Sequence, residues 1–312
     1  MQDQDVRCIG IDWGTSRFRA YGLSGSGAIL KRHVSDAGVA NVAGQAFESV
    51  FVRELGSWLE AHPAANVLAS GMAGSRLGWV ETRYLPCPVD LSRIASALER
   101  RSIGGRTIAF TPGLTRVARD GMPDVMRGEE IQVLGSLAQL GDGWYVLPGT
   151  HSKWVLLAAG QIVWFASFMS GELFDVLVQH TVLTQAGSAG ALAESSALDA
   201  FSRGLDYARG GDAESGGFLK RLFSTRSLVA RGELSRPEAR EYLSGLIIGG
   251  ELREALASLP GGPPARVMLI GAPELSRRYA SAFERAGIVV VDGPPDAAAS
   301  GHFAIARQAG LV

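Results

Sequence analysis

The sequence predicts an α/β protein made of two related halves, each opening on the same device. Three observations carry that expectation. Cys8 to Leu23 reads as an apolar strand, a small-residue turn and a second strand, with Asp12 where the first strand ends. Trp144 to Phe168 repeats the pattern, with Pro148 to Lys153 as its turn. Elsewhere short apolar runs alternate with segments of helical periodicity.

Composition sets the broad class. The chain has 312 residues, 46% hydrophobic and 20% charged, and a formal net charge of −1. Such a chain is globular and long enough for two cores. Its balanced charge offers no basic field to nucleic acid or an anionic membrane. Cys8 and Cys87 are the only cysteines, which excludes a disulfide framework and a Cys-rich zinc site. The start, Met-Gln-Asp-Gln-Asp, is unlike a signal peptide. The longest apolar stretch, Val155 to Met169, is interrupted by Gly160 and Gln161 and falls short of the roughly 20 residues a bilayer span needs. A cytoplasmic protein is expected.

In chain order, Gly27 to Val34 reads as a third strand. Phe47, Val50, Phe51, Leu55, Trp58 and Leu59 follow helical spacing. Val67 to Ser70 is a buried strand running into the Gly-rich stretch Gly71–Trp79. A helix is predicted from Asp90 to Arg100 and a strand from Thr107 to Phe110. Asp124 to Gly135 reads as a loop feeding a helix, with Glu129 and Glu130 in a first turn whose dipole favours negative charge. Gly141 to Gly143 break that helix and set a domain boundary after residue 142. Trp144–Leu147, Trp154–Ala158 and Gln161–Phe168 are strands. Helices follow at Gly171–Leu183 and Glu194–Arg203, with small-residue or polar connectors at 184–193 and 209–217. A long helix, Arg236–Leu259, contains Gly249-Gly250, which suits close packing or the approach of a nucleotide. Then come a strand at Val267–Ile270, a turn at Gly271, a helix at Leu275–Ala286, a strand at Ile288–Val291 and a helix at Ala297–Gln308.

The chemistry suggested by these stretches is phosphate binding. A strand–turn–strand of Gly, Thr and Ser leaves backbone N–H groups and hydroxyls free for phosphate oxygens, and a carboxylate at the strand end suits hydrated Mg²⁺. The competing reading of Cys8–Leu23 is a plain hairpin in which Asp12 caps the turn. No Gly-x-x-x-x-Gly-Lys-Ser/Thr loop, His-Glu-x-x-His or Gly-x-Ser-x-Gly is present. The five histidines show no ligand spacing.

Taken together, the order of these blocks resembles the actin/hexokinase/sugar-kinase ATPase superfamily. More narrowly, the chain resembles the 2-dehydro-3-deoxygalactonokinase family across nearly its whole length. That resemblance rests on Asp12-Trp13-Gly14-Thr15-Ser16, Gly71-Met72-Ala73-Gly74-Ser75-Arg76-Leu77-Gly78-Trp79, Arg127-Gly128-Glu129-Glu130, Pro148-Gly149-Thr150-His151-Ser152-Lys153-Trp154 and Ser170-Gly171-Glu172-Leu173-Phe174. It implies two ribonuclease-H-like (actin-like ATPase) domains with the active site in the cleft between them. Residues 1–142 would bind a sugar acid. Residues 143–312 would bind nucleotide, the last helix packing back on the first domain. The implied reaction is phosphorylation of 2-dehydro-3-deoxy-D-galactonate at its 6-hydroxyl, with ATP and Mg²⁺ as cofactors. Another small sugar acid such as 2-dehydro-3-deoxygluconate, or a non-metabolic actin-like ATPase cycle, is the alternative. The implied partners are small molecules, not nucleic acid or membrane, and homo-oligomerisation is left open.

The resemblance also distributes roles. Asp12 would hold the metal. Gly14, Thr15 and Ser16 would bind one set of phosphate oxygens, and Gly149, Thr150 and Ser152 the other. Lys153 would neutralise transferred charge or stand solvated. Gly249 and Gly271 would adjoin the nucleoside. Glu129 would be the catalytic base with Glu130 as rival, unless both merely satisfy the helix N-terminus. Arg76 would pair with the acceptor carboxylate or form an ordinary ion pair. Gly74, Ser75 and Trp79 would line the acceptor site, and Glu172 would accept sugar hydroxyls or cap its helix.

Overall fold

A computed structural model of the protein describes residues 5–42, 46–184, 193–210 and 216–312. The chain divides into two compact units. One comprises 1–145, 155–165 and 293–312, the other 146–154 and 166–292. Among the described residues no helix is long and apolar enough to cross a membrane.

The first unit is built on β1 (Cys8–Trp13), buried at every position. An apolar run with no polar face belongs at the centre of a sheet covered on both sides. Antiparallel β2 (Phe18–Leu23) and β3 (Ile29–Ser35) lie to one side of it. The chain then passes through helix α1 (Phe47–Ala61) to β4 (Asn66–Gly71), which pairs with β1 in parallel, Ile11 opposite Ala69. Val50, Phe51 and Leu55 are the buried residues of α1. They pack with Ile9, Ile11, Trp13, Phe18, Val67, Ile108 and Phe110 in one core.

After β4 come β5 (Tyr84–Pro86), α2 (Leu91–Ser96), β6 (Glu99–Ile103), β7 (Arg106–Phe110), β8 (Gly113–Val117), β9 (Pro123–Met126) and α3 (Glu129–Leu140). The six-stranded sheet runs β3-β2-β1-β4-β7-β6, and β5-β8-β9 form a small separate sheet. Two expectations are corrected here. The helix predicted from Asp90 to Arg100 ends at Ser96, and Glu99–Ile103 turns back as an edge strand antiparallel to β7. The small sheet went unforeseen because its strands are three to five residues long, too short to display a period. The C-terminal helix, Ala297–Gln308, lies on β1 and α3. Its approach is backbone-close. A Cβ on Gly10 would stand 2.7 Å from His302, and one on Gly301 would stand 2.0 Å from the Ile131 carbonyl oxygen.

A five-stranded sheet has the order β12-β11-β10-β13-β14, from β10 (Gly143–Leu147), β11 (Ser152–Ala158), β12 (Gln161–Phe168), β13 (Arg266–Leu269) and β14 (Val289–Asp292). The helices of the second unit are α4 (Ser170–His180), α5 (Glu194–Arg209), α6 (Phe218–Ala230), α7 (Arg236–Ser258) and α8 (Pro273–Arg285). Ser235 and Glu238 form a reciprocal capping box that starts α7. Of the two predicted connectors, residues 185–192 and 211–215 lie outside the described residues. Helix α6 was not foreseen. Gly249 is reassigned. A Cβ there would meet Ala208 at 2.7 Å, and one on Gly245 would meet the Phe201 carbonyl oxygen at 2.0 Å. These glycines let α5 and α7 cross in close contact, so Gly249 serves helix packing rather than nucleotide approach.

Candidate functional site

In the first unit, the ends of β1 and β4 and the start of α3 meet around Asp12. The side chain is 5% exposed, and its Oδ2 accepts a hydrogen bond from Arg19 Nη1 at 2.9 Å. Beside Oδ1 the neighbours are bare backbone. Gly71 (φ 80) and Gly128 (φ 112) both adopt left-handed conformations, which L side chains rarely tolerate. A Cβ on Gly71 would lie 3.3 Å from Asp12 Oδ1, and one on Gly128 would lie 3.1 Å from Gly71 Cα. One carboxylate oxygen is thus anchored by a cation, while the other faces a floor without side chains. A hydrated divalent cation suits such an arrangement. Among the described residues no cluster of three or more His, Cys, Asp or Glu could hold an ion by direct ligation.

The first turn is held from behind. Gly14 N–H donates to Arg17 O at 2.9 Å, and the Gly14 and Thr15 carbonyls accept from Val39 and Ala40 N–H at 3.0 Å each. Thr15 and Ser16 remain exposed. Behind β1 lies buried His302, whose Nε2 is 2.9 Å from Ser70 Oγ. Burial pushes the imidazole pKa down to about 4, so it is neutral near pH 7. Nothing local to the last helix signals that role.

Glu129 and Glu130 both bend back to the start of α3, with different exposures. Glu130 is fully buried, and its carboxylate accepts from Gly128 N–H at 2.8–2.9 Å. Burial first, and the neighbouring Glu129 charge second, push its pKa up to about 8. Glu129 is half-buried and accepts from Arg127 N–H at 3.1 Å.

In the stretch Gly71–Trp79, the Ala73 carbonyl accepts from both Trp79 and Val80 N–H, folding the segment tightly. Trp79 packs against Trp13, Phe51 and Phe110, with ring centroids 5.1–5.8 Å apart. Its ring packs against the hydrophobic core and is partly buried. Arg76 is exposed. Gly74 and Ser75 are buried beside Arg127, since a Cβ on Gly74 would stand 2.9 Å from Arg127 Nη1.

The second unit holds the other turn. Gly149 is half-buried, Thr150 and His151 are exposed, and the chain then dives inward. Ser152 is fully buried and donates to Glu251 Oε1 at 2.7 Å. Its hydroxyl is therefore committed to the interior instead of to phosphate. Lys153 is 4% exposed, which rules out a solvated ammonium. The start of α4 sits on this turn. Glu172 N–H donates to Thr150 O at 2.9 Å, and a Cβ on Gly171 would stand 2.2 Å from the Gly149 carbonyl oxygen. The Glu172 carboxylate meets His151 Nε2 at 2.5 Å, so its protein partner is the turn rather than its own helix end.

Sequence reading missed Glu251. It lies within α7, 4% exposed, and also accepts from Trp154 Nε1 at 2.8 Å and Tyr279 O–H at 2.5 Å. Ser170 hydrogen-bonds to it as well. Burial nevertheless holds its pKa above the ordinary carboxylate value. Next to this knot is a cavity of about 330 Å³ whose lining includes Gly149, Ser170, Gly171, Ile248, Ala272 and Tyr279. Arg278, also on its wall, donates to Glu241 at 2.6 Å and to Ser244 at 3.2 Å. Gly271 adjoins Ala272 and approaches Pro148; a Cβ there would be 3.4 Å from Pro148 Cδ. A pocket of this size, apolar with a few fixed polar groups, is suited to a small organic ligand.

Comparison with known proteins identifies the lineage. A model of the family described as 2-keto-3-deoxy-galactonokinase matches residues 12–305. A Rhizobium meliloti relative named "Probable 2-dehydro-3-deoxygalactonokinase DgoK1" is 37% identical over 283 residues, 90% of each chain. The 2-dehydro-3-deoxygalactonokinase of Escherichia coli is 34% identical over 285 residues, 90% of this chain and 91% of its own. A crystal structure of a Sinorhizobium meliloti protein described as a "putative 2-dehydro-3-deoxygalactonokinase" superposes with a TM-score of 0.82 at 36% identity, covering 96% of this chain and 98% of the other. A Clostridium difficile activator of 2-hydroxyisocaproyl-CoA dehydratase, at 11% identity and TM-score 0.54 over 97% and 93% of the chains, shares the fold alone. The α/β architecture is that of the actin-like ATPases and sugar kinases. The chain belongs to the 2-keto-3-deoxy-galactonokinase family.

Proposed function

We propose that the protein is a phosphotransferase that uses ATP to phosphorylate 2-dehydro-3-deoxy-D-galactonate at its 6-hydroxyl. The observation carrying this reading is the second unit's pocket, in which the Gly149 turn and the start of α4 adjoin a cavity of about 330 Å³. A glycine turn and a helix N-terminus present N–H groups to phosphate, and the cavity suits the nucleoside. Family membership supplies the acceptor class.

Phosphoryl transfer depends on in-line positioning and charge neutralisation more than on covalent chemistry. Asp12, with Oδ2 held by Arg19, would hold a hydrated Mg²⁺ through its other oxygen. When bound, that ion would neutralise phosphate charge. Thr15 and Ser16, exposed on the first turn, supply hydroxyl donors; on the second, Thr150 supplies a hydroxyl and Gly149 a side-chain-free backbone that a phosphate can approach. Ser152 supports its turn from within. Proton acceptance from the acceptor hydroxyl falls to Glu129, because both oxygens of Glu130 are engaged by the Gly128 N–H.

The test is purified protein with Mg·ATP and a panel of 2-keto-3-deoxy sugar acids, following ADP release and phosphorylated product. Acceptor-dependent turnover is expected, greatest with the galactonate derivative. ATP turnover without a phosphorylated acid would sink the proposal. Glu129→Gln is expected to lower turnover by about 10²–10⁴-fold, the usual share of a general base, with ADP binding unchanged.

A further inference from the structure

Arg127 is a buried guanidinium with an unused edge. The residue is 8% exposed, and its guanidinium stacks over the Tyr84 ring at 4.4 Å. Nη2 donates to Thr82 O at 2.9 Å and Nη1 to Thr82 Oγ1. Thr82 is itself fixed, since its hydroxyl also lies 3.1 Å from Gly74 O and 3.0 Å from Thr111 O. Stacking sets the plane of the fork and Thr82 takes its end. Among the described residues, Nε on its side edge has no partner.

Two neighbours share that condition. Ser75 Oγ, beside Gly74, and the Oγ1 of Thr111, the residue whose carbonyl anchors Thr82, are buried without hydrogen-bond partners among the described residues. Buried polar groups in native proteins are paired in the great majority of cases, and an exception points to an absent water, ion or ligand. Here three unpartnered donors lie on segments that Thr82 ties together, its hydroxyl meeting Gly74 O, Thr111 O and Arg127 Nη1. The charge is also uncompensated. Arg127 influences Glu130 electrostatically, yet no described carboxylate is within ion-pair distance of it. A buried cation without a counter-ion is costly, and the open edge of a pre-oriented guanidinium matches a carboxylate in bidentate geometry.

We propose that Arg127, with Ser75 and Thr111, holds the C1 carboxylate of the acceptor. This rests on the sugar-acid kinase reading and makes it specific: the enzyme selects 2-keto acids over neutral sugars through this cluster. It also moves the carboxylate away from Arg76, which is exposed and, among the described residues, has no stacking ring or anchoring residue to orient it.

The experiment compares wild type, Arg127→Lys and Arg127→Ala, each with the 2-keto-3-deoxy acid and with its uncharged carboxamide. Binding is measured by calorimetry without ATP, and turnover with it. Wild type is expected to prefer acid over carboxamide by about 100-fold, the scale of one charge-assisted bidentate pair. Both variants are expected to lose most of that preference while KM for ATP and affinity for ADP stay unchanged. Lys keeps the charge and loses the fork, so its failure would identify geometry as the requirement. ADP binding reports that the protein is folded. If Arg127→Ala does not fold, Arg127→Lys and Ser75→Ala carry the test, the latter expected to weaken the acid about 5- to 10-fold, one hydrogen bond's worth. Variants that retain the acid preference, or that raise KM for ATP as much as for the acid, would overturn the assignment while leaving the kinase reading intact. Wild type that binds the acid through Arg127 without phosphorylating it would overturn the kinase reading instead. No acid binding by wild type would overturn both.

Discussion

Removing the Glu251 carboxylate is expected to damage the second unit out of proportion to the side chain's size. Glu251→Ala leaves Ser152 Oγ, Trp154 Nε1 and Tyr279 O–H without the acceptor they now meet at 2.7, 2.8 and 2.5 Å. All three residues are at most 2% exposed, so bulk water does not replace it. Each orphaned buried donor is worth about 1–3 kcal/mol. Two effects offset part of the sum. The vacated space is polar enough to admit a bridging water, and deleting a buried carboxylate removes its desolvation penalty. A net loss of about 3–5 kcal/mol is expected, a large share of the 5–15 kcal/mol that holds a typical domain together. Glu251→Gln is expected to lose only about 1 kcal/mol. Its amide oxygen still accepts from Ser152 and Trp154, and the Tyr279 hydroxyl can turn to accept from the amide nitrogen.

Urea denaturation followed by tryptophan fluorescence reads this directly, because Trp154 is one of the donors. Ser170 and Tyr279 line the adjacent cavity, so the alanine variant is also expected to raise KM for ATP, with the glutamine variant near wild type. A loss below about 1 kcal/mol in Glu251→Ala would refute the reasoning, since it would mean that the donors find other partners at little cost. So would equal losses in the two variants.

Two further outcomes follow from the geometry. Because the folded pKa of Glu130 is raised, from 4.5 to about 8, its contribution to stability is complete below the unfolded value and is lost as pH rises through about 8. Melting temperatures between pH 5 and 9 should therefore fall toward high pH in wild type, and less steeply in Glu130→Gln; parallel curves would disprove the assignment. Gly171→Ala places a methyl group 2.2 Å from the Gly149 carbonyl oxygen, which forces backbone to move. It should cost about 1–3 kcal/mol, as overpacking does, and weaken ATP binding measurably; an unchanged ATP KM would separate α4 from the nucleotide.

What could be read in advance was what the chain encodes locally. Cys8–Leu23 announced itself because strand, turn and carboxylate are contiguous, and β1 and β2 lie within two residues of expectation. Ala297–Gln308 was read to the residue for the same reason. Misreadings came where tertiary context decides. Ala-Leu-Glu-Arg-Arg-Ser after Ser96 has good helix formers, yet a free edge beside β7 makes Glu99–Ile103 a strand. Gly249 was ambiguous in the sequence because a helix glycine serves a ligand or a neighbouring helix equally well, and only the position of Ala208 decides. Glu251 could not be found at all. Its partners Ser152 and Trp154 lie 99 and 97 residues away, and no spacing rule connects them.

The pair Glu129–Glu130 shows why side-chain type at a helix start does not by itself identify a base. Adjacent residues on a helix point about 100° apart, so one turn can send one carboxylate inward and leave the other in reach of a ligand. Glu130 is the inward one, and its carboxylate grips Gly128 N–H. Gly128 packs on Gly71, and both flank Asp12. A Glu130→Ala protein should consequently lose turnover without Glu130 ever touching the acceptor, by loosening the backbone floor beside Asp12. Glu130→Gln keeps an acceptor for Gly128 N–H and should restore that turnover, whereas Glu129→Gln should not restore it, because an amide cannot take a proton from the acceptor hydroxyl. Rescue by glutamine at both positions would move the base away from this helix altogether.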